Sequence, residues 1–206
     1  PPLGESLNLV FMGMGEPLLN LPALTPAIGI LSESISLRRI TVSTAGVIPG
    51  IEALAAWERR PNLAVSLHAP DDARRSELMP VNRSYPLADL MRALRAYPLE
   101  RGRRITFEYI LIRGFNDALR DADQLFALLR GMSAKVNLIP ANPDPVLGDT
   151  MIPPEPPVVL AFGFGVRLGR VAVARFRVFR HVLGNRGLPH DAIADSAAQQ
   201  RGEERR

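Results

Sequence analysis

The chain has 206 residues, enough for one domain with a sizeable core, and its 47% hydrophobic and 22% charged composition is globular rather than disordered. Net charge is +4 and almost all the basicity is arginine, with Lys135 the only lysine, which permits a phosphate-bearing partner without establishing one. There is no cysteine, so disulfides and thiolate-held zinc or iron–sulfur clusters built from these residues alone are excluded. No apolar run reaches the ~18 residues of a membrane span and no signal peptide is visible, so the expectation is a cytoplasmic protein with no membrane partner.

The first informative stretch is Leu7 to Asn20. Leu7 to Met12 has the length and composition of a buried parallel strand. It breaks into Gly13-Met14-Gly15-Glu16-Pro17, where glycines let backbone approach a ligand, Glu16 adds a carboxylate and Pro17 stiffens the exit. Read alone, this is equally a strand-to-helix turn with glycines for geometry only. A helix is expected over Leu21 to Ser32, a strand over Arg39 to Thr44, a helix over Pro49 to Glu58 and a strand over Leu63 to His68. A short helix over Asp71 to Leu78 stops at Pro80, and Leu87, Leu90, Met91 and Leu94 give Leu87 to Tyr97 a clear helical period. Arg104 to Ile112 reads as a strand, Arg120 to Arg130 as a helix and Lys135 to Ile139 as a strand closed by Pro140.

Strands alternating with helices over short connections mean parallel βα units. A partial (β/α) barrel and an open doubly wound sheet both satisfy that pattern, and periodicity does not choose between them. After residue 152 the composition changes. Residues 153–183 form a Pro-, Gly- and Arg-rich segment in which Val171 to Val182 alternates as a strand or a loose extension, and 184–206 read as a disordered tail. Residues 1–152 are the expected core domain.

Ligand-competent residues recur at the strand ends. Ser43-Thr44-Ala45-Gly46 offers two hydroxyls, one of which would commonly cap the turn. Ser66-Leu67-His68-Ala69-Pro70 brings a lone histidine, a residue type more often structural than ligating. Glu108 lies in an apolar strand, where pairing to a nearby arginine is the simpler expectation and pocket lining the other. Asn142, held between prolines in Pro140-Ala141-Asn142-Pro143, offers a rigid donor and acceptor.

Taken together, Gly13-Met14-Gly15-Glu16-Pro17-Leu18-Leu19-Asn20, Ser43-Thr44, Ser66-Leu67-His68, Met79-Pro80-Val81-Asn82-Arg83, Glu108-Tyr109, Asn116-Asp117 and Asn137-Leu138-Ile139-Pro140-Ala141-Asn142-Pro143 resemble, in order, the radical-SAM RNA adenine methyltransferases. The resemblance implies a partial (β/α) barrel of parallel strands, here without its first βα unit. It implies S-adenosylmethionine (SAM) held by Gly15, Glu16, Ser43, Ser66, Leu67, His68 and Asn142, and a [4Fe–4S] cluster in the complete family protein. The implied reaction is methylation of an adenine, at C2 rather than C8, in large-subunit ribosomal RNA and in some tRNAs, with an external electron donor. The family's three cluster cysteines would precede Pro1. Its methyl-carrying cysteine near the C-terminus has no counterpart around Asp191 to Gln199. The chain alone is therefore expected to be inactive and to offer no catalytic or metal-ligating residue of its own. A catalytically dead SAM- or RNA-binding remnant is the alternative reading.

Overall fold

The computed structural model describes residues 7–12, 15–142, 151–156 and 172–173. The expected tail, 184–206, and most of the 153–183 segment lie outside the described residues. Among the described residues are six strands: β1 (Leu9–Phe11), β2 (Ile40–Thr44), β3 (Asn62–Ser66), β4 (Ile105–Leu111), β5 (Ala134–Pro140) and β6 (Ala172–Val173). Between them run α1 (Leu21–Ser32), α2 (Ile48–Ala55), α3 (Asp72–Leu78), α4 (Leu87–Ala96) and α5 (Leu119–Leu129).

The strands form one sheet, all parallel, in the order β1-β2-β3-β4-β5-β6. That order chooses between the two candidate architectures. Parallel crossovers are right-handed, so a sheet that grows in one direction keeps all its helices on one face. A doubly wound sheet must reverse direction, and this one does not. The result is the wall of a partial barrel, with helices outside and a concave face inside.

Burial records the two faces. In β4, Ile105, Phe107, Tyr109 and Leu111 are buried while Thr106, Glu108 and Ile110 are half-buried. In β2 the buried set is Ile40, Val42 and Thr44, with Thr41 and Ser43 on the other side, and in β5 Lys135, Asn137 and Ile139 alternate with buried Val136 and Leu138. The buried sets form one core with Ile51 and Leu54 of α2, Leu90, Met91 and Leu94 of α4, and Leu125 and Leu129 of α5. Full burial of each such side chain contributes roughly 1.5–3 kcal/mol. The half-buried sets, largely polar, face the concave side.

Most helix and strand boundaries follow the sequence expectations, but the expected buried strand over Leu7 to Met12 is only Leu9–Phe11 and is not buried, with Val10 and Met12 exposed, because β1 pairs with β2 alone. A second difference is at β3. β3 ends at Ser66, and His68 leaves the strand in a left-handed conformation, φ 58°. A non-glycine residue there needs its neighbours to hold it.

Candidate active site at the strand ends

The C-terminal edge of the sheet is fastened by a small set of buried or half-buried polar groups. After β1, the Glu16 carboxylate accepts hydrogen bonds from Leu18 N at 3.1 Å and from Ala45 N, just beyond β2, at 2.7 Å. One oxygen caps the 3-10 turn Pro17–Leu19 and the other ties that turn to the next strand. Glu16 is thus a clamp between two βα connections, and Gly15 beside it is exposed. At the end of β2 the two hydroxyls divide their work. Thr44 is buried, and its Oγ1 accepts from Gly46 N at 3.0 Å and Val47 N at 3.4 Å. Ser43, one residue earlier, faces the concave side, where its hydroxyl is available to a ligand.

A buried arginine, Arg75 of α3, joins the next two strand ends. Its guanidinium donates to Ala45 O at 2.7 Å, to Ser66 O at 3.1 Å and to Asn82 Oδ1 at 2.7 Å. Desolvation lowers its pKa to about 10, partly offset by Asp72, so it stays charged at neutral pH. Asn82 in turn donates to Asp72 Oδ1 and Ser76 Oγ, both at 2.8 Å. This gives Met79-Pro80-Val81-Asn82-Arg83 a structural role that its composition does not suggest, because Asn82 orients the arginine that spans β2 and β3. The adjacent Arg74 serves another junction, pairing with buried Asp121 of α5 at 2.8 Å. Neither arginine stands out in the sequence, where Arg74-Arg75 looks like an exposed helix face.

His68 is fixed by β4 and by Asn116. Its Nδ1 accepts from Ile110 N at 3.1 Å, and its carbonyl accepts from Asn116 Nδ2 at 2.6 Å. Asn116, fully buried, also donates to Ile110 O and accepts from Ile112 N, both at 2.7 Å. An accepting Nδ1 places the ring proton on Nε2. Burial, reinforced by the Arg75 charge, lowers the His68 pKa to about 4, so the imidazole is neutral at physiological pH. Leu67 has a fully buried side chain and donates its N–H to Glu108 O at 3.0 Å, so it shapes the turn while Ser66 and His68 border the open side. Asn142, two residues past β5, is exposed at the same edge.

Glu108 and Asn137 are side by side on the concave face, and Asn137 Nδ2 donates to Glu108 Oε2 at 2.6 Å. Burial pushes the Glu108 carboxyl up, with Asn137 and Lys135 opposing. Its partner is thus an amide rather than the expected arginine. A groove of about 460 Å³ begins at Gly15 and Glu16 of this edge and runs along β1 and α1, bordered also by Phe11, Met12, Asn20 and Ala23.

The strand ends therefore gather Gly15, Glu16, Ser43, Ser66, His68 and Asn142 along one edge of a parallel sheet, the edge where α/β folds bind ligands. Comparison with known proteins gives this geometry its family. The model of the Radical SAM superfamily matches residues 3–126. The chain belongs to that superfamily. Among solved structures, a radical SAM methyltransferase from Sphaerobacter thermophilus superposes with a TM-score of 0.75 at 44% identity, covering 81% of this chain and 50% of that one. Among curated relatives, the dual-specificity RNA methyltransferase RlmN of Syntrophobacter fumaroxidans is 50% identical over 87% of this chain and 51% of its own length. The RlmN of Anaeromyxobacter dehalogenans is 53% identical over 68% of this chain and 39% of its own length. The chain spans about half the length of these relatives, or less.

The radical-SAM edge can be tested against the groups the superfamily implies. The concave-side hydroxyls of Ser43 and Ser66, the neutral His68 and the amide of Asn142 are a donor set suited to a ligand with amino-acid and nucleoside ends, as SAM has. An iron–sulfur cluster does not fit these residues, because the 206 residues contain no cysteine and the described residues hold no group of acidic or histidine side chains that could bind a metal ion.

Proposed function

We propose that this chain is the radical-SAM core of an RNA methyltransferase that acts on an adenine, at C2 rather than C8, in large-subunit ribosomal RNA and in tRNA. The observation that carries this reading is roughly half identity to curated RNA methyltransferases over 68–87% of the chain. SAM, when bound with a reduced cluster, supplies the radical and the methyl group for such chemistry. The strand-end residues would bind and orient it: Ser43, Ser66, His68 and Asn142 by direct polar contact, and Gly15 and Leu67 by backbone. Glu16 would hold the turn through which its neighbours approach the cofactor. Neutral His68 would donate from Nε2. The reading also implies a cytoplasmic setting and an external electron donor, and no helix among the described residues is long and apolar enough to cross a membrane.

The missing thiolates favour a second reading, in which the chain is a SAM- or RNA-binding remnant. Deleting the gene and analysing ribosomal RNA nucleosides by mass spectrometry separates the two. Loss of 2-methyladenosine, restored by the gene with its flanking sequence, is the expected result. Unchanged 2-methyladenosine would favour the remnant.

A further inference from the structure

The concave face carries a lateral row of polar side chains that begins at Ser66 of the strand-end site and continues into Glu108 and Asn137, to which that site gives no role. Strand register places Ser66 of β3 beside Glu108 of β4, and Glu108 beside Asn137 of β5. Neighbouring strands lie about 4.8 Å apart, so the three side chains form a strip about 10 Å long. The row towards the C-terminal edge adds Ile110 and Ile139, and the row beneath adds Ala64, Thr106 and Lys135.

The hydrogen bond within the strip gives it a direction. Asn137 Nδ2 holds Glu108 Oε2 at 2.6 Å, and among the described residues Glu108 Oε1 is the acceptor still to be filled. Ser66 joins the Arg75 bracket through its carbonyl, so its hydroxyl remains for a ligand. An acceptor beside a hydroxyl that can donate matches a ligand edge with an amino group next to a ring nitrogen. Guanine and hypoxanthine carry a carbonyl at that amino position, and its oxygen would face the carboxylate. The half-buried setting disfavours the bare charge of Glu108, and an N–H brought against its free oxygen would relieve that.

We propose that Ser66, Glu108 and Asn137 read the amino edge of an adenine ring on the concave face, with Glu108 as the residue that determines specificity. This rests on the function proposed above, where both SAM and the RNA carry an adenine. The chemistry is the same from either source. Ile110 and Ile139 would line the ring on the apolar side.

The test is binding of unreactive nucleosides to the full chain, so its failure is distinguishable from failure of the methylation reading. One arm compares S-adenosylhomocysteine with S-inosylhomocysteine, and the other compares a short oligoadenylate with an oligoinosinate, each titrated by calorimetry or NMR. Adenine should bind about tenfold or more tighter than hypoxanthine in at least one arm, and the arm that shows it identifies the source. In Glu108→Gln, Asn137 would hold the new amide oxygen and turn its nitrogen to the ligand, so the preference should vanish or reverse while far-UV circular dichroism is unchanged. A merely structural Glu108 would not produce that reversal. Equal binding of the two bases by the wild-type chain, no binding in either arm, or a preference that survives in a folded Glu108→Gln variant would each overturn the proposal. The wild-type comparison needs no variant to fold.

Discussion

Arg75 and His68 show how single residues hold a site they need not touch. Removing the Arg75 side chain would leave the carbonyls of Ala45 and Ser66 and the amide oxygen of Asn82 without their donor. Arg75→Ala should therefore lower stability by about 3 kcal/mol in urea denaturation. Arg75→Lys should recover only part of it, since one ammonium cannot reproduce a planar fork reaching three acceptors. His68 gives a pH signature. Its pKa is 6.5 when unperturbed and about 4 in the fold, so between those values the unfolded chain binds the proton and the folded chain does not. Its contribution is fully present above pH 6.5 and lost as pH falls through 4, about 3 kcal/mol in all. His68→Asn keeps an acceptor near Nδ1, tolerates the left-handed backbone and cannot take a proton there. It should fold at neutral pH with a flatter stability profile from pH 7 to 4.

At the scale of elements, two helical glycines have opposite roles. A Cβ on Gly50 of α2 would lie 2.5 Å from Leu18 Cβ and 2.9 Å from Leu18 O, in the turn that Glu16 caps, whereas one on Gly29 of α1 meets nothing within 4 Å. Gly50→Ala should destabilise by roughly 1–3 kcal/mol and loosen the Glu16–Ala45 tie. Gly29→Ala should stabilise by about 0.5–1 kcal/mol, as removing a glycine from an exposed helix position does. Thermal unfolding of the two variants should shift in opposite directions. The same scale shows what a sequence reveals and hides. The period of Leu87, Leu90, Met91 and Leu94 defines α4 without help. Ser43-Thr44 shows two hydroxyls but not which one caps, because that depends on the face each presents. The Glu108–Asn137 pair joins residues 29 apart and is set by register, which periodicity does not contain. Strand order, too, is a tertiary choice among patterns that look alike in one dimension.

For the whole molecule, the mismatch between a retained strand-end edge and absent thiolates sets the main functional expectation. Anaerobic reconstitution of the 206-residue chain with iron and sulfide should leave no stoichiometric cluster, by metal analysis and by absorbance, since no cysteine is available. Incubated with reductant, SAM and unmodified ribosomal RNA, the chain alone should form no 2-methyladenosine above a no-protein control. A serine in the stretch Asp191 to Gln199, Ser196, is no substitute for a thiolate carrier, because a hydroxyl is far less nucleophilic at neutral pH.

The one-directional strand order also has a kinetic consequence. From β1 to β5 each strand pairs with the strand before it in the chain, so each of these pairings closes only the connection between consecutive strands, the longest being the one that carries α3 and α4 between β3 and β4. Assembly can then proceed by adding neighbours to an existing pair, without bringing distant segments together. The longest ladder, Ile105–Leu111 against Ala134–Pro140, is the natural starting pair. Within the β1–β5 part of the sheet, β1 has a partner on one side only, through the short ladder Leu9–Phe11 against Ile40–Val42, and should join last and open first. Amide hydrogen exchange should accordingly protect β4 and β5 most and release β1 before the rest of the sheet unfolds. The Glu16 clamp sits at that first-opening end, so the edge of the site would be the part of the sheet most responsive to a bound ligand.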